Sequence, residues 1–292
     1  MRESQGFRWK WVRVKVSMSA LMIEKRNKRI GVFDSGFGGL HILRSIVSAL
    51  PEYEYVYLGD TARAPYGDRP QETILAYTKQ AIDFLFEQHC GIVVIACNTA
   101  SSEALRAIQQ EYGAEKKVLG VLIPAAEEAV QKTKNQRVGV IATHSTVTSE
   151  KFVHELAKLE ANVQVFQKAC PLLVPLVEAG EQHSPLMDTL LERYLRPLLA
   201  KKIDTLILGC THYGIVEKKI RAIVGPDITI ISEARVVPKK LKKYFEKHTE
   251  IEETLSTKPR VHFFSTDRTD KFQTLGSALF GRAIRVERAV LR

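Results

Sequence analysis

Short apolar runs alternate with longer amphipathic segments over most of the chain. The run RIGVF at 29–33 is followed by a helical repeat of apolar residues that ends at Pro51, and YVYLG follows at 55–59. An amphipathic segment at 69–89 then leads to a second wholly apolar run, GIVVIA, at 91–96. Apolar runs of this length that alternate with helices are typical of strands buried on both faces of a parallel sheet. The pattern therefore predicts an α/β protein with doubly wound sheets.

The same order of strands occurs a second time along the chain. RVGVIATHST at 137–146 parallels RIGVFDSG, NVQVFQKACP at 162–171 parallels the YVYLG strand, and DTLILGCTHY at 204–213 parallels GIVVIACNTA. Repetition of a whole strand and helix unit indicates an internal duplication. We therefore predict two pseudo-symmetric domains whose active site lies in the cleft between them, because functional groups collect beyond the carboxyl ends of parallel strands.

The duplication also suggests where the domains begin and end. We expect residues 29–124 and 232–292 to form the first α/β domain, so that the carboxyl-terminal segment of the chain returns to the domain in which it began. Residues 125–231 would form the second domain. Residues 1–28 would be a basic extension in front of both.

The net charge of +10 is concentrated at the amino-terminal end of the chain. Residues 1–29 hold nine Lys or Arg residues and two acidic residues, and FRWKWVRVKV alternates them with apolar residues. Such alternation suits a membrane surface or a nucleic acid. However, the segment lacks the apolar run of a signal peptide, and no stretch approaches the ~20 apolar residues of a membrane span. We interpret it as an extension outside the catalytic unit, with Met18 or Met22 as alternative starts, and expect no membrane or nucleic-acid partner.

Four cysteines are present, and two of them stand where chemistry is expected. Cys97 and Cys210 each end an apolar strand and precede polar residues, whereas Cys90 and Cys170 are interpreted as core packing. No C-x-x-C spacing points to a zinc site or a disulfide framework, so free thiols in the cytoplasm are expected.

The residues that follow Cys97 predict the start of a helix. Asn98, Thr99 and Ser101 are candidate caps. A thiol at a helix amino terminus has a lowered pKa, and the exposed backbone N–H groups there hold carboxylates. The sequence therefore predicts two thiolates beside a bound anion.

Five motifs in order give a specific resemblance that runs from about residue 29 to the end of the chain. They are GVFDSGFGGL, YLGDTARAPYG, IACNTAS, ACPLLVPLVEAG and LGCTHY. Together they resemble the cofactor-independent glutamate racemases, isomerases that supply D-glutamate for peptidoglycan synthesis and so for the bacterial cell wall and cell shape. Gly214 and Ile215 replace the usual Pro-Leu after CTHY, and Ala125 replaces the Gly after Pro124, which affects loop geometry only.

The resemblance implies two proton-transferring cysteines and no metal or organic cofactor. Cys97 would act on D-glutamate and Cys210 on L-glutamate, Asp34 would assist Cys97, and His212 and Glu178 would assist Cys210. Simpler interpretations are a helix cap for Asp34, a surface histidine for His212 and a solvated helix residue for Glu178. Substrate binding is implied for Asp34, Ser35, Pro65, Tyr66, Gly67, Asn98, Thr99, Thr143, Thr211 and His212. Thr143 also fits a cap alone.

Other functions stay open from the sequence. An aspartate racemase of the same superfamily typically has Glu at the position of His212, so CTHY favours glutamate. A nucleic-acid-binding or partner-binding protein would use the basic extension. A thiol redox protein is disfavoured because neither cysteine has a resolving partner nearby in sequence. The resemblance further implies a cytoplasmic homodimer acting on L-glutamate and D-glutamate.

Overall fold

Ten strands form two parallel sheets within residues 26–267 and 270–292, which the computed structural model describes apart from the Lys271 side chain. In chain order the strands are β1 Arg29–Asp34, β2 Glu54–Gly59, β3 Cys90–Ile95, β4 Lys117–Gly120, β5 Arg137–Ala142, β6 Gln164–Ala169, β7 Thr205–Gly209, β8 Thr229–Ile231, β9 Arg260–Ser265 and β10 Val286–Arg288.

Helices connect the strands and cover both faces of each sheet. The α-helices are α1 Gly39–Ala49, α2 Gln71–Glu87, α3 Asn98–Glu103, α4 Leu105–Tyr112, α5 Leu122–Lys132, α6 His144–Thr148, α7 Lys151–Leu159, α8 Leu173–Glu178, α9 Pro185–Leu199, α10 Glu217–Val224, α11 Glu233–Lys247, α12 Thr249–Glu252 and α13 Asp270–Phe280. Short 3₁₀ helices span Thr61–Arg63 and Thr211–Val216. No helix in these ranges is long and apolar enough to cross a bilayer.

The order of the strands shows the internal duplication. The first sheet runs β10-β9-β2-β1-β3-β4 and the second runs β6-β5-β7-β8. The four strands β2-β1-β3-β4 therefore have the same arrangement as β6-β5-β7-β8, and every pair in both sheets is parallel. The predicted fold class of two parallel-sheet α/β domains is confirmed.

Alternating side chains along each central strand enter two different cores. In β1, Ile30 and Val32 join the apolar cluster on one face of the sheet, and Phe33 joins the cluster on the other. In β7, Leu208 and Ile207 likewise point to opposite sides. Because both faces need apolar residues, these strands appear in the sequence as uninterrupted apolar runs.

The chain returns to the first sheet at its carboxyl end. Strand β9 pairs with β2 over six residues, and β10 adds to its outer side. The predicted helix at 69–89 is shorter in the structure, since α2 begins after Pro70, which has an extended backbone. The basic extension at 1–28 falls almost wholly outside the described residues, which begin at 26.

Candidate active site

A cleft lies where the carboxyl ends of the two sheets face each other, and its cavity volume is about 50 Å³. Loops after β1, β2 and β3 form one wall, and loops after β5, β6 and β7 form the other. Of the predicted site residues, those that line the cleft are Ser35, Pro65, Tyr66, Gly67, Cys97, Asn98, Thr99, Thr143, Glu178, Cys210, Thr211 and His212. Asp34 is fully buried beside this lining.

Cys97 occupies the N-cap position of α3. Its Sγ accepts a hydrogen bond from the Ala100 backbone N–H at 3.5 Å and lies 3.2 Å from the Ser35 hydroxyl. The expectation that Asn98, Thr99 or Ser101 caps this helix was wrong, because Asn98 is already its first helical residue.

Both thiols have raised rather than lowered pKa values. Burial raises the pKa of Cys97 to about 12, with a further increase from the Asp34 charge, and the hydrogen bonds from Ser35 and Ala100 only partly oppose it. Burial also raises the pKa of Cys210 well above its usual value. The prediction of ready thiolates was wrong, because the cysteines are only 5% and 6% exposed and loss of hydration outweighs the helix terminus. Both side chains are therefore thiols at neutral pH.

Cys210 belongs to a chain of three polar side chains in the second domain. The His212 Nδ1 atom lies 3.8 Å from Cys210 Sγ, and His212 Nε2 lies 3.0 Å from Glu178 Oε1. His212 is buried, so it is not a surface histidine, and Glu178 stands at the end of α8 facing the cleft. This arrangement can pass a proton from the thiol to the imidazole and balance the resulting charge with a carboxylate.

Asp34 ends β1 beneath the turn that opens α1. Its Oδ2 accepts a hydrogen bond from the Gly36 backbone N–H at 2.9 Å, and Oδ1 has no hydrogen-bond partner within the described chain. Burial raises the pKa of Asp34, although the nearby His212 opposes that rise. Ser35, rather than Asp34, makes the direct contact with Cys97.

Short contacts join the two walls of the cleft. The Thr99 and Thr143 hydroxyls lie 2.9 Å apart, and the Gly67 carbonyl accepts a hydrogen bond from the Ser145 backbone N–H at 2.9 Å. Thr143 also caps α6 by accepting from the Thr146 backbone N–H. It therefore acts both as a cap and as a contact between the walls.

Asp60 supports one wall of the cleft, a role that sequence reasoning did not assign to it. It is fully buried, and its Oδ2 accepts from Tyr66 Oη at 2.5 Å and from Arg63 Nε at 2.6 Å. Its Oδ1 accepts from Thr266 Oγ1 at 2.8 Å. Asp60 directly follows β2 and so lies at the same edge of the sheet as Asp34, the last residue of β1, and this position was the signal for its role.

Further lining residues were also missed by the sequence reasoning. They are Gly36, Ala64, Asp68, His144, Pro171, Val174 and Pro175. Most lie within or next to the motifs quoted above, so motif membership was a usable signal. In the described ranges no three His, Cys, Asp or Glu side chains gather as a metal site.

Comparisons with known proteins agree with this geometry. The family model for Asp/Glu/Hydantoin racemase matches residues 30–237. A glutamate racemase from Chlorobaculum tepidum is 40% identical over 252 residues, which cover 86% of this chain and 92% of that protein. The crystal structure of glutamate racemase isoform RacE1 from Bacillus anthracis is similar with a TM-score of 0.86 and 34% identity, covering 91% and 98% of the two chains. The structure of glutamate racemase from Francisella tularensis in complex with D-glutamate has a TM-score of 0.82 and 32% identity over the same shares.

Proposed function

Because the chain belongs to the Asp/Glu/hydantoin racemase family, we propose that it interconverts L-glutamate and D-glutamate. This membership confirms the family that the sequence motifs predicted, and the protein is therefore a racemase, which is a type of isomerase. One observation carries the proposal beyond family membership: a thiol from each domain, each after the third strand of its unit, lines the same cleft. The product D-glutamate would serve peptidoglycan synthesis.

Inversion at Cα requires two proton-handling groups on opposite faces of the substrate. The group that removes the Cα proton cannot also supply the new proton on the other face without moving around the substrate. Cys97 and Cys210 come from opposed domains and so satisfy this requirement. Cys210 takes the proton from L-glutamate while Cys97 donates its thiol proton to the opposite face, and D-glutamate reacts in the reverse sense.

Because the pKa values of both thiols are raised, the mechanism must include removal of a thiol proton before that cysteine can act as a base. In the L-to-D direction, Cys210 must first lose its proton, and His212 is the nearest basic group at 3.8 Å. Glu178 stabilises the imidazolium that results, through its 3.0 Å contact with His212 Nε2. On the other side, Ser35 stabilises the Cys97 thiolate that is left after protonation of the product, and Asp34 influences it at longer range.

The carbanion-like transition state also needs stabilisation at the substrate carboxylate. Donors fixed in advance around that group lower the barrier because they need no reorganisation during the reaction. The hydroxyls of Ser35, Thr99 and Thr211 are suitable donors in the cleft. Asn98 differs, since its side-chain nitrogen already donates to Glu233.

The test is to follow the ellipticity of L-glutamate with purified protein and no added cofactor. Wild-type protein should bring the signal to zero, and Cys97→Ala and Cys210→Ala should each abolish the decay from either enantiomer, because both directions use both thiols. Cys90→Ala is the matched control, since Cys90 is a buried thiol that does not line the cleft. Decay at near wild-type rate in either catalytic-cysteine variant would refute the two-cysteine assignment.

We also propose a cytoplasmic location and a homodimer. Free thiols at all four cysteines suit a reducing compartment. The dimer has its support in the resemblance, and sedimentation velocity tests it directly. An aspartate racemase is not favoured, because the Chlorobaculum tepidum and Bacillus anthracis relatives described above, at 40% and 34% identity, are glutamate racemases.

A further inference from the structure

A carboxyl group outside the catalytic set lies directly behind the cleft. Glu233 is the first residue of α11 and is 3% exposed. Its Oε2 accepts a hydrogen bond from Asn98 Nδ2 at 2.8 Å, although the two residues are 135 positions apart. Asn98 directly follows Cys97 and lines the cleft. Glu233 therefore contacts the lining residue Asn98 from the side that faces away from the cleft.

This bond determines which end of the Asn98 amide is occupied. The amide nitrogen, and not the oxygen, faces Glu233, where it donates to Oε2. The amide oxygen Oδ1 is then left without a hydrogen-bond partner anywhere in the described chain, and it is buried. A buried acceptor without a partner is rare in folded proteins and is costly unless something occupies it. The substrate ammonium group is a donor that would do so.

Glu233 is also close to the second cysteine. It lines a small void of about 10 Å³ together with Cys210, Thr211 and Ser232. Glu233 thus lies at the back of both proposed catalytic cysteines. It belongs to α11, which contains none of the five motifs that suggested the site. Burial raises the pKa of Glu233 to about 8, and the Asn98 bond opposes that rise. At neutral pH the carboxyl group is therefore mostly protonated, and Oε2 accepts from Asn98 with the proton on Oε1.

We propose that Glu233 is a positioning residue for racemisation: it holds the Asn98 amide so that the oxygen faces the substrate and accepts from its ammonium group. The inference rests on the proposed racemase function. Glu233 acts only through Asn98 and does not itself touch the reacting atoms.

Kinetics of three variants separate this role from a general loss of stability. Glu233→Met keeps the length of the side chain but removes the acceptor, so KM for both enantiomers should rise at least tenfold with a smaller change in kcat. Glu233→Gln retains an oxygen that accepts from Asn98, so it should recover most of that loss. Glu246→Met, on the exposed side of the same helix, is the matched control and should leave KM and kcat unchanged.

A double variant tests whether Glu233 acts through Asn98. In an Asn98→Ala background, Glu233→Met should change KM less than twofold, because the amide it orients is absent. A tenfold rise that persists in that background, or a Glu233→Met single variant within threefold of wild type, would overturn the inference.

A measurement independent of turnover separates the inference from the proposed function. The side-chain amide protons of Asn98, identified by their disappearance in Asn98→Ala, should exchange with solvent at least tenfold faster in Glu233→Met. Unchanged exchange would overturn the role of Glu233 whatever the substrate. If the wild-type protein fails to racemise glutamate but Glu233→Met still shows the faster exchange, the proposed activity is refuted and the amide orientation stays supported.

Discussion

Gly38→Ala should impair catalysis through a clash between the two domains. Gly38 precedes α1 in the first domain and has φ −59° and ψ −33°, a conformation that alanine adopts without strain. A Cβ atom at this position would lie 2.2 Å from Thr211 Oγ1 and 2.8 Å from His212 Nδ1. The substitution therefore changes only the contact with Thr211 and His212 in the second domain.

The size of the effect follows from these distances. Ordinary van der Waals contact begins near 3.4 Å, so the Thr211 side chain must move back by about 1 Å. Thr211 directly follows Cys210, and its Cβ would also be too close at 2.8 Å, so rotation of the hydroxyl alone does not relieve the clash. A misplacement of ~1 Å in a catalytic arrangement can cost ~100-fold in rate. Overpacking should also lower the free energy of unfolding by about 1–3 kcal/mol.

The assay compares kcat/KM for L-glutamate, from ellipticity, with the unfolding temperature of the same preparation. Gly113→Ala is the control, because no atom lies within 4 Å of the added Cβ, while its φ of +58° strains the backbone by about 1–3 kcal/mol. It should lose stability but keep its activity. A Gly38→Ala protein within threefold of wild type would refute the reasoning.

Two further predictions concern specificity and stability. Glutamate should be turned over at least ~100-fold more efficiently than aspartate, because a misplaced carboxylate leaves buried donors unpaired; comparable kcat/KM values would contradict this. Burial opposes ionisation of Glu54, but hydrogen bonds from Ser256 and His262 and the Arg29 charge outweigh it and lower its pKa. That stabilisation of the folded state is present above pH 4.5, the pKa of Glu54 in the unfolded chain. It is lost as pH falls through the lower pKa of the folded state. Glu54→Gln should therefore unfold about 1–3 kcal/mol more easily at pH 7, and urea titrations should show the difference shrinking as pH falls below 4.5.

The sequence carried enough information to place the two cysteines that we propose as catalytic. Cys97 and Cys210 follow short apolar runs that are typical of strands buried on both faces, and parallel strands bring their carboxyl ends to one edge. The repeated order of the runs then predicts that the two edges face each other.

The protonation state of those cysteines was not predictable in the same way. A local pattern shows the helix start, which lowers a thiol pKa, but it does not show how deeply the folded chain buries the thiol. Burial proved the larger effect at Cys97. Similarly, the contact between Asn98 and Glu233 joins elements 135 residues apart, and nothing near either residue indicates it.

The central claim, that two fixed thiols act on opposite faces of Cα, is tested most directly by racemisation in heavy water. Both thiols exchange their protons for deuterons before substrate binds. Early product from either enantiomer should therefore carry deuterium at Cα, while recovered substrate keeps its original hydrogen. Mass spectrometry of the separated enantiomers at low conversion measures both. Product that retains the original hydrogen, or recovered substrate that gains deuterium, would indicate a single base that reaches both faces and would contradict the account.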